Sequence, residues 1–177
     1  MEIAAAIFSL LSAFLAMKKN FHNWTIGILG IVFYSVIFWE NHLYADFTLQ
    51  MIFLFQSFQG IIGWTRTQEK SLIKWHTLLY TFVSLVIVSY FFLSKFTNDP
   101  NPLLDSVASG LSLMATYLMI KKNIKCWYFW VAADIVYIFL FYSRGLYVSL
   151  GLYCIFTLIA INGYFEWKKL ATDEKLV

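Results

Sequence analysis

Residues 124–142 read Ile-Lys-Cys-Trp-Tyr-Phe-Trp-Val-Ala-Ala-Asp-Ile-Val-Tyr-Ile-Phe-Leu-Phe-Tyr. The run is long enough to cross a bilayer as a helix, and it carries one carboxylate near its middle. Trp127, Trp130, Asp134, Tyr137 and Phe141 follow a 3-4-3-4 spacing and share one helical face. An ionised Asp at the centre of a membrane helix disfavours insertion by about 2.5–3.5 kcal/mol. Such a residue therefore faces a partner side chain, water or a bound molecule. Two indoles and a phenol beside a carboxylate suit a flat, cationic organic molecule, because aromatic faces attract a cation and the carboxylate offsets its charge.

Outward from this stretch the whole chain has the same character. Of its 177 residues 60% are hydrophobic and 20% aromatic, and only 13% are charged. Mean hydropathy is +0.69. Soluble domains carry about 25% charged residues, so the composition implies an integral membrane protein in a lipid bilayer. Cys126 and Cys154 lie in different apolar runs, which argues against a disulfide framework. The start, Met1-Glu2-Ile3, lacks the basic region of a signal peptide, so the first apolar run reads as a retained helix.

Seven apolar segments are predicted, at about 2–17, 22–39, 42–64, 73–94, 103–120, 124–142 and 145–167. Both prolines fall in the turn Asn98-Asp99-Pro100-Asn101-Pro102, so no helix interior is kinked by proline. With seven spans, Lys18, Lys19, Arg66, Lys70, Lys74, Lys121, Lys122, Lys125, Lys168, Lys169 and Lys175 share one side, and only Lys95 and Arg144 lie on the other. The positive-inside rule then puts the N-terminus in the periplasm and the C-terminus in the cytoplasm.

The chain also repeats itself at an offset of 103 residues without a gap. Lys18-Lys19-Asn20 pairs with Lys121-Lys122-Asn123, Trp24 with Trp127, Tyr34 with Tyr137, Leu43-Tyr44 with Leu146-Tyr147, Gly60 with Gly163 and Trp64 with Trp167. Three spans per unit would invert the second copy, and a fourth span restores the direction. The expected architecture is one membrane domain over 1–177: repeat one at 1–66, a linker helix at 73–94 and a parallel repeat two at 103–169. Repeats of this kind occur in small secondary transporters, with the site near the midplane between them. Trp130 and Asp134 map onto Gly27 and Ile31, so the candidate site residues with chemistry stand in one half only.

Other candidates surround them. On the third segment Asp46, Gln50, Phe53, Ser57 and Gly60 share a face; Gln50 is deep enough to need a partner, and an interhelical hydrogen bond is its plain structural use. On the seventh, Tyr153 is the repeat counterpart of Gln50, with Thr157 a turn on and Asn162-Gly163 nearer the cytoplasmic end. Trp127, close to its helix end, also fits a headgroup belt. Glu40, His22, His42 and His76 fall at segment ends. No His/Cys/Glu cluster has metal spacing, and no phosphate loop, nucleophile elbow or ATP motif is present, so neither an enzyme, a metal, an organic cofactor nor nucleic acid is expected.

These residues resemble the Pnu family of vitamin transporters. The anchors are Leu43-Tyr44-Ala45 with Gln50 and Gly60; Asp105-Ser106 with Ser112, Ala115 and Leu118-Met119; Trp127-x-x-Trp130-x-x-x-Asp134; and Leu146-Tyr147 with Tyr153, Thr157 and Asn162-Gly163. The resemblance covers almost the whole chain. It implies an all-α, seven-helix, three-plus-one-plus-three fold like that of the SWEET sugar transporters, a homotrimer, and facilitated diffusion across the bacterial inner membrane with trapping by a cytoplasmic kinase. The family's PnuC branch takes up nicotinamide riboside and usually carries Asn where this chain has Asp134. That difference makes the thiamine branch, PnuT, the expected one, with nicotinamide riboside as the alternative cationic vitamin. A membrane scaffold that transports nothing is the reading from another class. The substrate-binding residues expected are Trp127, Trp130, Asp134, Tyr137, Gln50, Phe53, Tyr153 and Asn162.

Overall fold

The structure, a computed structural model, describes residues 1–65, 74–97 and 99–173. Arg66, Lys70, Lys175 and Asn98, counted above among the joints, lie outside the described residues. Seven α-helices follow one another: α1 Glu2–Met17, α2 His22–Glu40, α3 Tyr44–Thr65, α4 Trp75–Phe96, α5 Pro102–Ile120, α6 Cys126–Ser143 and α7 Tyr147–Asp173. Each coincides with one predicted apolar segment to within a few residues. Five of them, α2, α4, α5, α6 and α7, reach spanning length and hydropathy on their own. Helix α1 has 16 residues, and α3 is diluted by Asp46, Gln50, Gln56 and Gln59.

Positions 103 residues apart take matching conformations. Lys19 and Lys122 both adopt left-handed backbone, at φ 54° and 50°. Each follows a helix end closed in the same way: Lys19 and Asn20 donate to Ala16 and Leu15 carbonyls, and Lys122 and Asn123 to Met119 and Leu118 carbonyls, all at 2.9 Å. The Asn then accepts from the backbone two residues on, Asn20 from His22 at 2.9 Å and Asn123 from Lys125 at 3.0 Å. The repeated Lys-Lys-Asn is thus a helix stop followed by an Asx turn. At the opposite end His42 and Gly145, also counterparts, take φ 59° and 71°.

Helices α1, α2 and α3 pack in sequence, as do α5, α6 and α7; α1 then meets α7, and α3 meets α5. Two parallel triplets are therefore joined along two equivalent seams, with α4 as the linker. Helix α4 packs on α5, and one residue explains the choice. A Cβ at Gly110 would stand 3.0 Å from Val86 Cγ2 and 3.4 Å from Phe82 Cε2. The counterpart of Gly110 on α1 is Ile7, which is exposed. Covered on all sides, α5 is the most enclosed helix, and Ser106, Ala108, Met114, Ala115 and Leu118 are all buried. Gly110→Ile is expected to lower the thermal midpoint of the detergent-solubilised protein by overpacking the α4–α5 contact, at about 1–3 kcal/mol. Scanning fluorimetry checks this against Ile7→Leu, expected to leave the midpoint where it is.

Candidate functional site

Four helices present matching stripes toward the space between the triplets. They are Trp24, Gly27, Ile31, Tyr34 and Phe38 on α2; Trp64, Gly60, Ser57, Phe53 and Gln50 on α3; Trp127, Trp130, Asp134, Tyr137 and Phe141 on α6; and Trp167, Gly163, Ala160, Phe156 and Tyr153 on α7. Helical register stacks them in layers, because α2 and α6 run opposite to α3 and α7. The ring contacts agree with this register. Tyr153 lies 5.1 Å from Phe141 and 4.8 Å from Tyr137 between ring centres, and Trp127 lies 5.5 Å from Trp167.

Asp134 occupies the middle layer. It is only 3% exposed, and among the described residues no hydrogen bond or ion pair reaches it. Its layer is otherwise small or apolar: Ile31, Ser57 and Ala160, with the Ser57 hydroxyl spent on the Phe53 carbonyl of its own helix at 2.8 Å. On one side stand Tyr137, stacked on Phe141 at 5.9 Å, and Tyr153. The Tyr137 hydroxyl is within reach of Ser109 and Ser112 on α5, and Tyr153 lies in the electrostatic range of Asp134, Tyr137 and Tyr34. On the other side stands Trp130, in a layer whose three remaining members are glycines. Its Nε1 is buried without a hydrogen-bond partner among the described residues. A flat cation at this level would meet an indole, a phenol pair and a carboxylate with nothing else to bind.

The remaining candidates separate. Trp127 is 3% exposed, so it is an interior residue and not a headgroup belt residue. Its ring lies on Gly163, where a Cβ would come within 2.6 Å of Cη2. Phe53 stands in the Tyr34–Tyr137 layer, and Gln50 in the Tyr153 layer with no hydrogen bond among the described residues. Asn162 does not join them. It is exposed off the α7 stripe, and its amide donates to the Leu158 carbonyl of its own helix at 2.9 Å. Two residues were not foreseen. Gln56 donates from α3 to the Leu113 carbonyl of α5 at 3.1 Å, and its own Oε1 is buried without a partner among the described residues. Tyr34 had been read only as a repeat match. Helical register places it, from the first triplet, in the layer of Phe53 and Tyr137.

Two cavities, of 390 and 350 Å³, open elsewhere: one beside Met1, Glu2, Glu40 and Asn41, the other between α2 and α3 beside Trp39 and Phe47. Neither touches Asp134, around which the aromatic side chains of α6 and α7 pack against one another. At the end away from the lysines Arg144 pairs with Asp99 at 3.0 Å and with Asp105, binding α6 to the start of α5.

Comparison with known proteins fits this geometry. The family model described as nicotinamide mononucleotide transporter matches residues 1–169. The chain belongs to that family. Its members are PnuC-type membrane transporters and not enzymes, and the chain is a multi-pass membrane protein of this type. The nicotinamide riboside transporter PnuC of Escherichia coli (strain K12) is 25% identical over 98% of this chain and 87% of its own length. The protein of the same name from Neisseria mucosa is 25% identical over 94% of this chain and 71% of its own length. The crystal structure of the vitamin B3 transporter PnuC superposes with a TM-score of 0.78 at 20% identity, covering 96% of this chain and 81% of that one. The fold is therefore the SWEET-like three-plus-one-plus-three arrangement. These relatives are named for nicotinamide riboside and not for thiamine.

Gly163→Ala is expected to displace the Trp127 indole and lower the thermal midpoint, whereas Gly151→Ala on the same helix, with open space around it, leaves it unchanged or slightly raised. Equal midpoints in the two variants would contradict the packing of Trp127 on α7.

Proposed function

We propose that this chain is a uniporter of the bacterial inner membrane for a flat, cationic vitamin, with nicotinamide riboside as the substrate. The observation that carries the reading is Asp134: a carboxylate only 3% exposed, without a partner among the described residues, in the middle layer between the triplets. A cationic ring supplies the missing counter-charge. Trp130 and Tyr137 offer it aromatic faces, and Tyr153 and Tyr34 close over it, with Phe53, Gln50 and Trp127 at the borders. The names of the relatives support nicotinamide riboside. The lysine-bearing end faces the cytoplasm, the N-terminus faces the periplasm, and phosphorylation inside traps the vitamin. The working unit is a homotrimer.

Thiamine is the second reading, favoured by one residue. Asp134 stands where the nicotinamide riboside branch usually carries Asn, and a carboxylate suits both the thiazolium charge and the amino group of the pyrimidine.

Calorimetry on purified protein with nicotinamide riboside, thiamine, riboflavin and an uncharged nucleoside tests the choice. Nicotinamide riboside is expected to bind most tightly. Tighter binding of thiamine would overturn the first reading in favour of the second, and binding of neither would overturn both. Asp134→Asn is expected to weaken binding of thiamine by at least about 1.5 kcal/mol, roughly tenfold, and of nicotinamide riboside, whose branch usually carries Asn here, by less. Counterflow of the labelled vitamin in liposomes holding only this chain separates a transporter from a scaffold, which gives none.

A further inference from the structure

The layer nearest the lysines consists of four tryptophans, one from each stripe. Trp24 meets Trp64 edge-on, with ring centres 5.6 Å apart at 87°, and Trp127 meets Trp167 in the same way at 5.5 Å and 89°. Between the two pairs Trp64 lies 6.1 Å from Trp167 at 56°. Each member of this central contact is held from outside it. Trp64 donates its Nε1 proton to the Met119 carbonyl, and Trp167 to the counterpart carbonyl of Ala16, both at 3.0 Å. Lys122 stands 5.6 Å from the Trp64 ring and Lys19 5.9 Å from the Trp167 ring. The chain of rings is thus symmetric about its middle.

We propose that the Trp64–Trp167 contact is the gate at the lysine-bearing end of the passage. The hydrogen bonds hold Trp64 to the α3–α5 seam and Trp167 to the α1–α7 seam. Helices α3 and α7 have no packed interface of their own along their length among the described residues. Where they converge they meet through these two rings, the widest and least orthogonal of the three indole contacts, with no hydrogen bond between them. When the two seams move apart, this contact parts first, and each indole stays with its own seam through its carbonyl, its lysine and its neighbouring tryptophan. Opening at this end then exposes the middle layer. Ser57 and Ala160 lie on the same faces of α3 and α7 as Trp64 and Trp167, seven residues and about 10 Å deeper, and both are buried.

The inference rests on the transport reading, yet its test needs no vitamin, so the substrate assignment can fail without it. Ser57→Cys is placed in a Cys126→Ala, Cys154→Ala background, and a membrane-impermeant thiol reagent is applied to right-side-out and inverted vesicles. With both tryptophans present the thiol is expected to react slowly from either side. With Trp64→Ala and Trp167→Ala together it is expected to react at least tenfold faster from one side only. The Trp64→Phe, Trp167→Phe pair, which keeps the rings and removes the donors, is expected to stay within about threefold of the parent. Equal rates in the alanine pair and the parent would overturn the gate. Equal acceleration from both sides would also overturn it, since it would mean that the indoles merely hold the bundle together.

Discussion

A carboxylate buried in a helical bundle, with no counter-charge paired to it among the described residues, is the constraint on which the rest of this structure turns. Placing Asp134 at mid-membrane opposes insertion, so the surrounding helices must offset that cost with packing while leaving the acid itself unused. They do so by surrounding its layer with small side chains. Ser57 satisfies its own hydroxyl internally, and Ala160 carries no polar group. The glycines of the next layer make room for other groups, Gly60 for the Trp24 ring, Gly163 for the Trp127 ring and Gly27 for the Ser12 hydroxyl. An unpaired acid beside aromatic faces is poorly stabilised as it stands and well suited to a cation that arrives later.

Symmetry supplies the frame and its breaking supplies the chemistry. The lysine turns, the indole–carbonyl bonds and the tyrosine–phenylalanine stacks occur twice, 103 residues apart. These shared features hold the triplets together. Among the departures, Gly110 against Ile7 seats the linker helix on one triplet, while Trp130 against Gly27 and Asp134 against Ile31 change the stripes that face the middle. In the proposed site the last two differences make a one-sided receptor on a two-sided scaffold, as an asymmetric small molecule requires. The Arg144 pairs with Asp99 and Asp105 are a further one-sided feature, since their counterparts in the first triplet include Asn41 and Glu2 and form no ion pair among the described residues.

Helix number, helix limits and the repeat were legible in the sequence because each rests on a strong local signal: long apolar runs, the Lys-Lys-Asn stop, and rare residues recurring at one offset. The Trp130–Asp134–Tyr137 face was legible because a lone acid marks its face. Asn162 misled for a physical reason. In a membrane helix an amide can satisfy itself on the carbonyl one turn back, so a polar residue need not face the interior. Trp127 was open between belt and interior because the two environments favour the same residue near a helix end. Its packing on Gly163 follows only from the neighbouring helix. Gln56 was missed because it lies off the Gln50–Ser57 stripe and reaches α5 instead. The preference for thiamine rested on one residue, and one residue outweighed the rest of the chain in that reading.

The most direct measurement is a cryo-electron microscopy or crystal structure with nicotinamide riboside bound. The expected result places the nicotinamide ring in the middle layer, against the Trp130 indole, with the Asp134 carboxylate turned to the cation and Tyr153 moved to admit it. A well-ordered vitamin at any other depth, with Asp134 still sealed among its neighbours, would contradict the central claim.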